Sequence, residues 1–257
     1  MTGKESFTAV YDSGIGGISV LTQAVRVLPQ ENFLFFADNA HAPYGNRQKA
    51  EVTRLAEHYC TFFAEKGAKA IVIACNTATS AAAETLRKEF DIPVLGIEPA
   101  LKPAVLNTSG QIIVMGTSLT IAEEKYRNLL QTIALGRNVV SLPCPGLMEL
   151  VEKDPESPET EACLLNLLAP YAGTAEAIVL GCTHYPFLKP LLQKNFPNIK
   201  LFDGAEGVTR HLKTVLTEKR ILGGSGRLEW DCSSEDPEEK SRYIEKCLSF
   251  YERFKKG

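Results

Sequence analysis

The chain has 257 residues, 44% of them hydrophobic and 23% charged, with a formal net charge of −3. That length suits one large or two small domains, and that balance belongs to a globular protein, not a disordered one. A slightly acidic chain lacks the basic face that nucleic-acid binding expects, and no apolar run approaches the roughly 18 residues of a membrane span, so neither is an expected partner.

In chain order, the strand "FTAVYD" leads through "DSGIGG" into the helix "ISVLTQAVRVL". The strand "NFLFFAD" leads through "APYGNR" into the long helix "RQKAEVTRLAEHYCTFFAEKG". Next come strand "KAIVIAC", helix "TSAAAETLRKEF" and strand "IPVLGI". Near Glu98 the pattern restarts with strand "QIIVMGT", helix "IAEEKYRNLLQTI", strand "NVVSLPC" and helical "GLMELVEK" and "ETEACLLNLLAPY". Strand "EAIVLGC", helix "FLKPLLQKN" and strand "IKLFDG" follow. A helix over about 205–218, strand "RLEWDC" and the amphipathic helix "KSRYIEKCLSFYERF" complete the chain, and the polar break "DPESPE" reads as a loop. This alternation predicts an α/β fold of mainly parallel sheets flanked by helices.

The restart is a repeat. Cys75 and Cys182 stand 107 positions apart, Asp12 and Thr117 105, and Tyr44 and Pro145 101. So long a period is no solenoid; it predicts two pseudo-symmetric lobes. The expected division is 1–97 with 207–257 as one lobe and 98–206 as the other. Ligands of open α/β sheets sit beyond the carboxyl ends of strands, where these landmarks fall. If the lobes face each other, the two cysteines flank one cleft, the expected active site.

Seven cysteines occur, an odd number without any CxxC pair, which disfavours zinc or a redox couple. Cys60, Cys163, Cys232 and Cys247 read as small buried hydrophobes. The N-terminal "MTGKESFTAVYDSG" has no apolar signal core, so a cytoplasmic chain is expected.

"DSGIGG", Asp12 to Gly17, fails as a dinucleotide fingerprint because Ser19 stands where the third glycine belongs, and no Walker sequence occurs. A Gly-rich strand-to-helix turn still offers backbone N–H groups to an anion. Cys75 opens a helix, where the dipole favours a thiolate, and Asn76 and Thr77 are either polar contacts or caps. His184, two positions beyond Cys182, is a plausible proton partner, whereas His41, His58 and His211 read as structural. Two equivalent thiols suit removal of a proton from one face of a carbon and delivery to the other. A thiol with a reference pKa of about 8.5 can serve as both acid and base near neutral pH.

Taken together, "DSGIGG", "PYG", "ACNTAT" and "GCTHYP" closely resemble the cofactor-independent glutamate racemases, within the aspartate/glutamate racemase family. The resemblance runs from Asp12 to Pro186. It implies interconversion of L- and D-glutamate without cofactor or metal, supplying D-glutamate for peptidoglycan and so for cell-wall synthesis and cell shape, in a cytoplasmic homodimer. It implies Cys75 and Cys182 as the acid/base pair, with Asp12 supporting Cys75, and His184 and Glu149 supporting Cys182. Substrate contacts are implied for Asp12, Ser13, Tyr44, Gly45, Asn76, Thr77, Thr117, Thr183 and His184. Thr117 stands in "GTSLT" where the usual form is "GTxGT". Aspartate racemases typically carry Glu after the second GCT, so His184 favours glutamate. The alternatives are an aspartate or other amino-acid racemase, and a non-catalytic two-lobed amino-acid-binding protein.

Overall fold

Strands form where the apolar runs stand. The computed structural model describes residues 6–255. Among these, β1 is Phe7–Asp12, β2 Phe33–Ala37, β3 Ala68–Ile73, β4 Val94–Gly96 and β5 Gln111–Gly116. β6 is Val139–Pro143, β7 Ala175–Leu180, β8 Lys200–Asp203 and β9 Leu228–Cys232. The chain divides into two compact units, Met1–Ile97 with Ala205–Gly257, and Glu98–Gly204. Each holds one sheet flanked by helices, and every strand pair is parallel. The expected α/β class is therefore borne out.

In the first unit the strand order is β4-β3-β1-β2-β9. β1 and β2 are buried at every position, as strands covered on both faces must be, which is why they read as unbroken apolar runs. Adjacent phenylalanines of β2 point to opposite faces. Phe36 packs against Tyr59 and Phe63 of helix Lys49–Glu65, with ring centroids 4.8 and 5.3 Å away. Phe35 packs with tilted rings against Trp230 of β9, which meets Tyr251 of the last helix, Pro237–Phe254. The tail thus extends the sheet of the chain's beginning.

The second unit has the order β6-β5-β7-β8. Read from its other edge, this is the first unit's sequence of pairings without the tail strand. The correspondence reaches single hydrogen bonds. Ala74 N–H donates to Tyr11 O at 2.7 Å, and Gly181 N–H to Met115 O at 2.8 Å. Asp38 N–H donates to Asp12 O at 2.8 Å, and Cys144 N–H to Gly116 O at 2.9 Å. The register slips at Phe7/Thr8 in one sheet and at Gln111/Ile112 in the other. Cys75 and Cys182 follow the paired Ala74 and Gly181 and are equivalent. The other two landmarks are corrected: Asp12 matches Gly116, not Thr117, and Cys144 matches Asp38. "PYG" lies beyond that point in a 3-10 turn, Tyr44–Asn46, so it has no counterpart in "CPG".

β3 stops at Ile73 and β7 at Leu180, so neither cysteine lies in a strand. Three further differences concern helices. Leu101–Asn107 is helical although no helix is expected there. The helix expected over "IAEEKYRNLLQTI" is two, Ser118–Ala122 and Glu124–Ile133, because Glu123 between them is extended. The last helix starts at Pro237, where Asp236 caps it by accepting from the N–H groups of Glu238 and Glu239. Among the described residues no helix is long and apolar enough to cross a membrane.

Candidate active site

In each sheet the strand order reverses beside the first strand of the repeat, so the carboxyl ends of β1 and β3, and of β5 and β7, are the switch points where ligands gather. In the first unit Asp12, Ser13 and Cys75 meet there. Asp12 is fully buried and accepts from Gly14 N–H at 3.0 Å and Ser13 Oγ at 3.4 Å. Ser13 Oγ lies 3.6 Å from Cys75 Sγ. With its proton on Asp12 it accepts from the thiol; with its proton turned to sulfur it supports the thiolate. A Cβ on Gly17 would fall 2.6 Å from Asp12 Cβ, so only glycine lets the turn pack so closely over this carboxylate.

Cys75 is the N-cap of helix Asn76–Glu89 and makes no side-chain cap bond. Asn76 and Thr77 begin that helix, both buried. The Asn76 amide, among the described residues, has no hydrogen-bond partner, so its donors and acceptor are open to another molecule.

Tyr44 is buried, with Gly45 half-buried beside it. Its hydroxyl donates to Asp38 Oδ2 at 2.6 Å, so Tyr11, which meets the same hydroxyl, must donate to it. Tyr59 donates to Asp38 Oδ1 at 2.9 Å, and His41 Nδ1 lies 2.8 Å from the same oxygen. Burial, then the charge of Asp38, pushes the Tyr59 phenol above its ordinary range; burial chiefly does the same for Tyr44. Both therefore remain donors at neutral pH. Asp38 anchors this turn, a role sequence reading missed.

In the second unit Cys182, Thr183 and His184 follow β7, all buried. His184 Nδ1 lies 3.8 Å from Cys182 Sγ, and Nε2 donates to Glu152 Oε2 at 2.7 Å. Burial opposes charging this imidazole, but the bonds to Cys182 and Glu152, and their charges, outweigh it and push its pKa up to about 10. An imidazolium donates from both nitrogens, so it holds a carboxylate with one and faces sulfur with the other. The hydrogen-bonded carboxylate is thus Glu152, three residues beyond the expected Glu149 on the same helix, Leu147–Lys153. Glu149 is half-buried and bears electrostatically on Tyr185. Thr117 caps Ser118–Ala122: its Oγ1 accepts from Thr120 N–H at 3.2 Å.

The remaining cysteines differ in environment. Cys75 and Cys182 are 5% and 6% exposed, shielded but not sealed, whereas Cys60 is 0% exposed. Burial raises the Cys60 and Cys144 thiols to about 12, which keeps them protonated and inert. Cys232 and Cys247 are buried as expected, but Cys163 is only half-buried, because its helix, Pro158–Leu168, turns Leu164 and Leu168 to the core instead. Gly181 keeps Cys182 close to β5, since a Cβ there would lie 2.5 Å from Met115 O. Among the described residues, no three of His, Cys, Asp and Glu are grouped to hold a metal ion.

Comparison with known proteins agrees with this geometry. The family model described as Asp/Glu/Hydantoin racemase matches residues 17–212. A glutamate racemase of Clostridium perfringens (strain 13 / Type A) is 45% identical over 223 residues, covering 85% of this chain and 86% of that one. A crystal structure of glutamate racemase from Thermus thermophilus in complex with beta-chloro-D-alanine is 33% identical, with a TM-score of 0.80, covering 95% of this chain and 93% of that one. The Escherichia coli enzyme in complex with L-glutamate and the activator UDP-MurNAc-ala is 26% identical, with a TM-score of 0.86, covering 98% and 96%. A family match spanning most of the length, over a repeated fold with a cysteine at each switch point, makes this chain a member of the Asp/Glu/Hydantoin racemase family.

Proposed function

We propose that the chain interconverts L-glutamate and D-glutamate by two-base proton transfer at the α-carbon, without cofactor, and so supplies D-glutamate to peptidoglycan synthesis. The observation that carries this reading is the equivalence of Cys75 and Cys182 within the repeat, each with a polar partner of its own at the sulfur. One thiolate takes the α-proton and becomes a thiol. The other thiol gives its proton to the opposite face of the resulting carbanion and becomes a thiolate. No electrons are exchanged, so no redox cofactor is required. The two cysteines end with their protonation states swapped, and exchange with water resets them.

Ser13 with Asp12 steadies one sulfur in both states, and His184 with Glu152 steadies the other. The open amide of Asn76, at a helix N-terminus, suits a substrate carboxylate, as do Thr77 and Thr183 beside the cysteines. Tyr44 and Gly45 contribute through the turn that Asp38 holds. The relatives named glutamate racemase support glutamate as substrate.

The test is turnover of L-glutamate and L-aspartate, side by side, by chiral analysis, for the natural chain and for Cys75→Ser, Cys182→Ser and Cys163→Ser. Serine fits the space of cysteine but is far too weak an acid, so each of the first two falls by at least about 10³-fold, and Cys163→Ser turns over normally. Preference for aspartate would move the reading to a different substrate. Near-normal turnover by either serine variant at 75 or 182 would remove that thiol from the mechanism.

A further inference from the structure

Thr79 is buried one helical turn beyond Cys75, and the reaction above makes no use of it. Its N–H donates to Cys75 O at 2.9 Å, closing the first turn of the helix. Its Oγ1 donates to Ile73 O at 3.1 Å and accepts from Ile97 N–H at 3.1 Å. One residue thus joins three segments: the end of β3, the residue after β4, and the turn that carries the thiol. The approach is tight enough to need glycine opposite, since a Cβ on Gly96 would lie 2.5 Å from Thr79 Cγ2.

The two halves differ here. In the first unit the Thr79 side chain ties the helix that Cys75 opens to the backbone at Ile73, while the Thr79 N–H makes the first backbone bond of that helix, to Cys75 O. By the 107-residue offset, the matching position in the second unit is Pro186, within the 3-10 turn Tyr185–Leu188 and without any hydroxyl. There His184 meets the sulfur, as Ser13 meets that of Cys75, and Tyr185 N–H closes the turn by donating to Cys182 O at 3.0 Å. We propose that Thr79 is a positioning residue that sets where the Cys75 thiol stands. This rests on the two-thiol reading above, because placement matters only if Cys75 exchanges a proton with substrate. A misplacement of about 1 Å in such a group costs on the order of 10²-fold in rate.

Thr79→Val keeps the shape and removes the hydroxyl. Ile97 N–H retains Ile73 O at 3.3 Å, so the fold is expected to survive. The full chain and its Thr79→Val and Thr79→Ser variants are treated with iodoacetamide, and alkylation at Cys75 and Cys182 is followed separately by peptide mass spectrometry. Turnover of glutamate and the thermal midpoint are measured on the same samples. For Thr79→Val the expected result is a Cys75 alkylation rate changed by about threefold or more while Cys182 is unchanged. With it, kcat falls by about tenfold at a KM within about twofold, and Thr79→Ser restores both. If the valine variant does not fold, Thr79→Ala is read in the same way. Unchanged Cys75 labelling and kcat in a folded variant would overturn the proposal. So would both cysteines shifting together with a lowered midpoint, which is general loosening. Labelling does not depend on turnover, so a natural chain that fails to racemise glutamate while Thr79→Val alters Cys75 alone would reject the functional reading and leave the fastening intact.

Discussion

His184 is fully buried yet carries a proton more firmly than a free imidazole, and the reason is its two partners, Cys182 and Glu152. Its pKa in the fold, about 10, lies above the usual value near 6.5. The pairing therefore contributes stability that is fully present below about pH 6.5 and is lost as pH rises through about 10. Replacing Glu152 by Gln removes one of the groups that raise this pKa. The expected outcome in an ¹⁵N NMR titration is a lower imidazole pKa, with the alkaline loss of stability still beginning near pH 6.5 but complete at a lower pH and smaller in total. An unmoved titration would show that Glu152 does not hold the ring. Asp38 makes a second case. It accepts from the hydroxyls of Tyr44 and Tyr59, with Tyr11 behind Tyr44. Asp38→Ala leaves buried donors without an acceptor, so denaturant unfolding should show a loss of roughly 3 kcal/mol. A loss below about 0.5 kcal/mol, the range of ordinary surface changes, would contradict the network.

Among the elements, the joining of the tail to the first sheet depends on Asn32, at the entrance to β2. Its Oδ1 accepts from Ser225 N–H at 2.9 Å, Arg227 N–H at 3.0 Å and Ser225 Oγ at 3.1 Å. Beside it Glu31 pairs with Lys69 at 2.9 Å and accepts from Gly223 N–H at 2.9 Å. These bonds hold the segment that delivers β9. Asn32→Ala should cost about 2 kcal/mol and speed amide exchange in β9 before β1 or β3; uniform exchange in all three strands would contradict this. Strands were legible in the sequence because "FLFFA" and "AIVI" are buried on both faces and so need no alternation. The helix Leu101–Asn107 was not, because seven residues with Pro103 among them give too short a pattern to separate from loop. Glu149 and Glu152 share one helix three positions apart, and sequence cannot choose which carboxylate meets a histidine over thirty residues away. The cysteines were legible because the repeat marked them. The Asp38 network was not, since its tyrosines come from three separate elements.

At the level of the whole chain, one topology is written twice, down to equivalent hydrogen bonds and the same register slip, while the support of each cysteine is written differently. That pattern suits a reaction whose two directions are mirror images but whose thiols are not interchangeable. The central claim, proton removal by one thiol and delivery by the other, is tested most directly by isotope. L-glutamate is incubated with the full chain in D₂O and the reaction is stopped early. Two separate thiols predict D-glutamate carrying deuterium at the α-carbon, with the remaining L-glutamate almost unlabelled, and the reverse pattern when D-glutamate is the starting material. D-glutamate that keeps a substantial share of the original protium would mean that one group removes and returns the same proton, and would contradict the account.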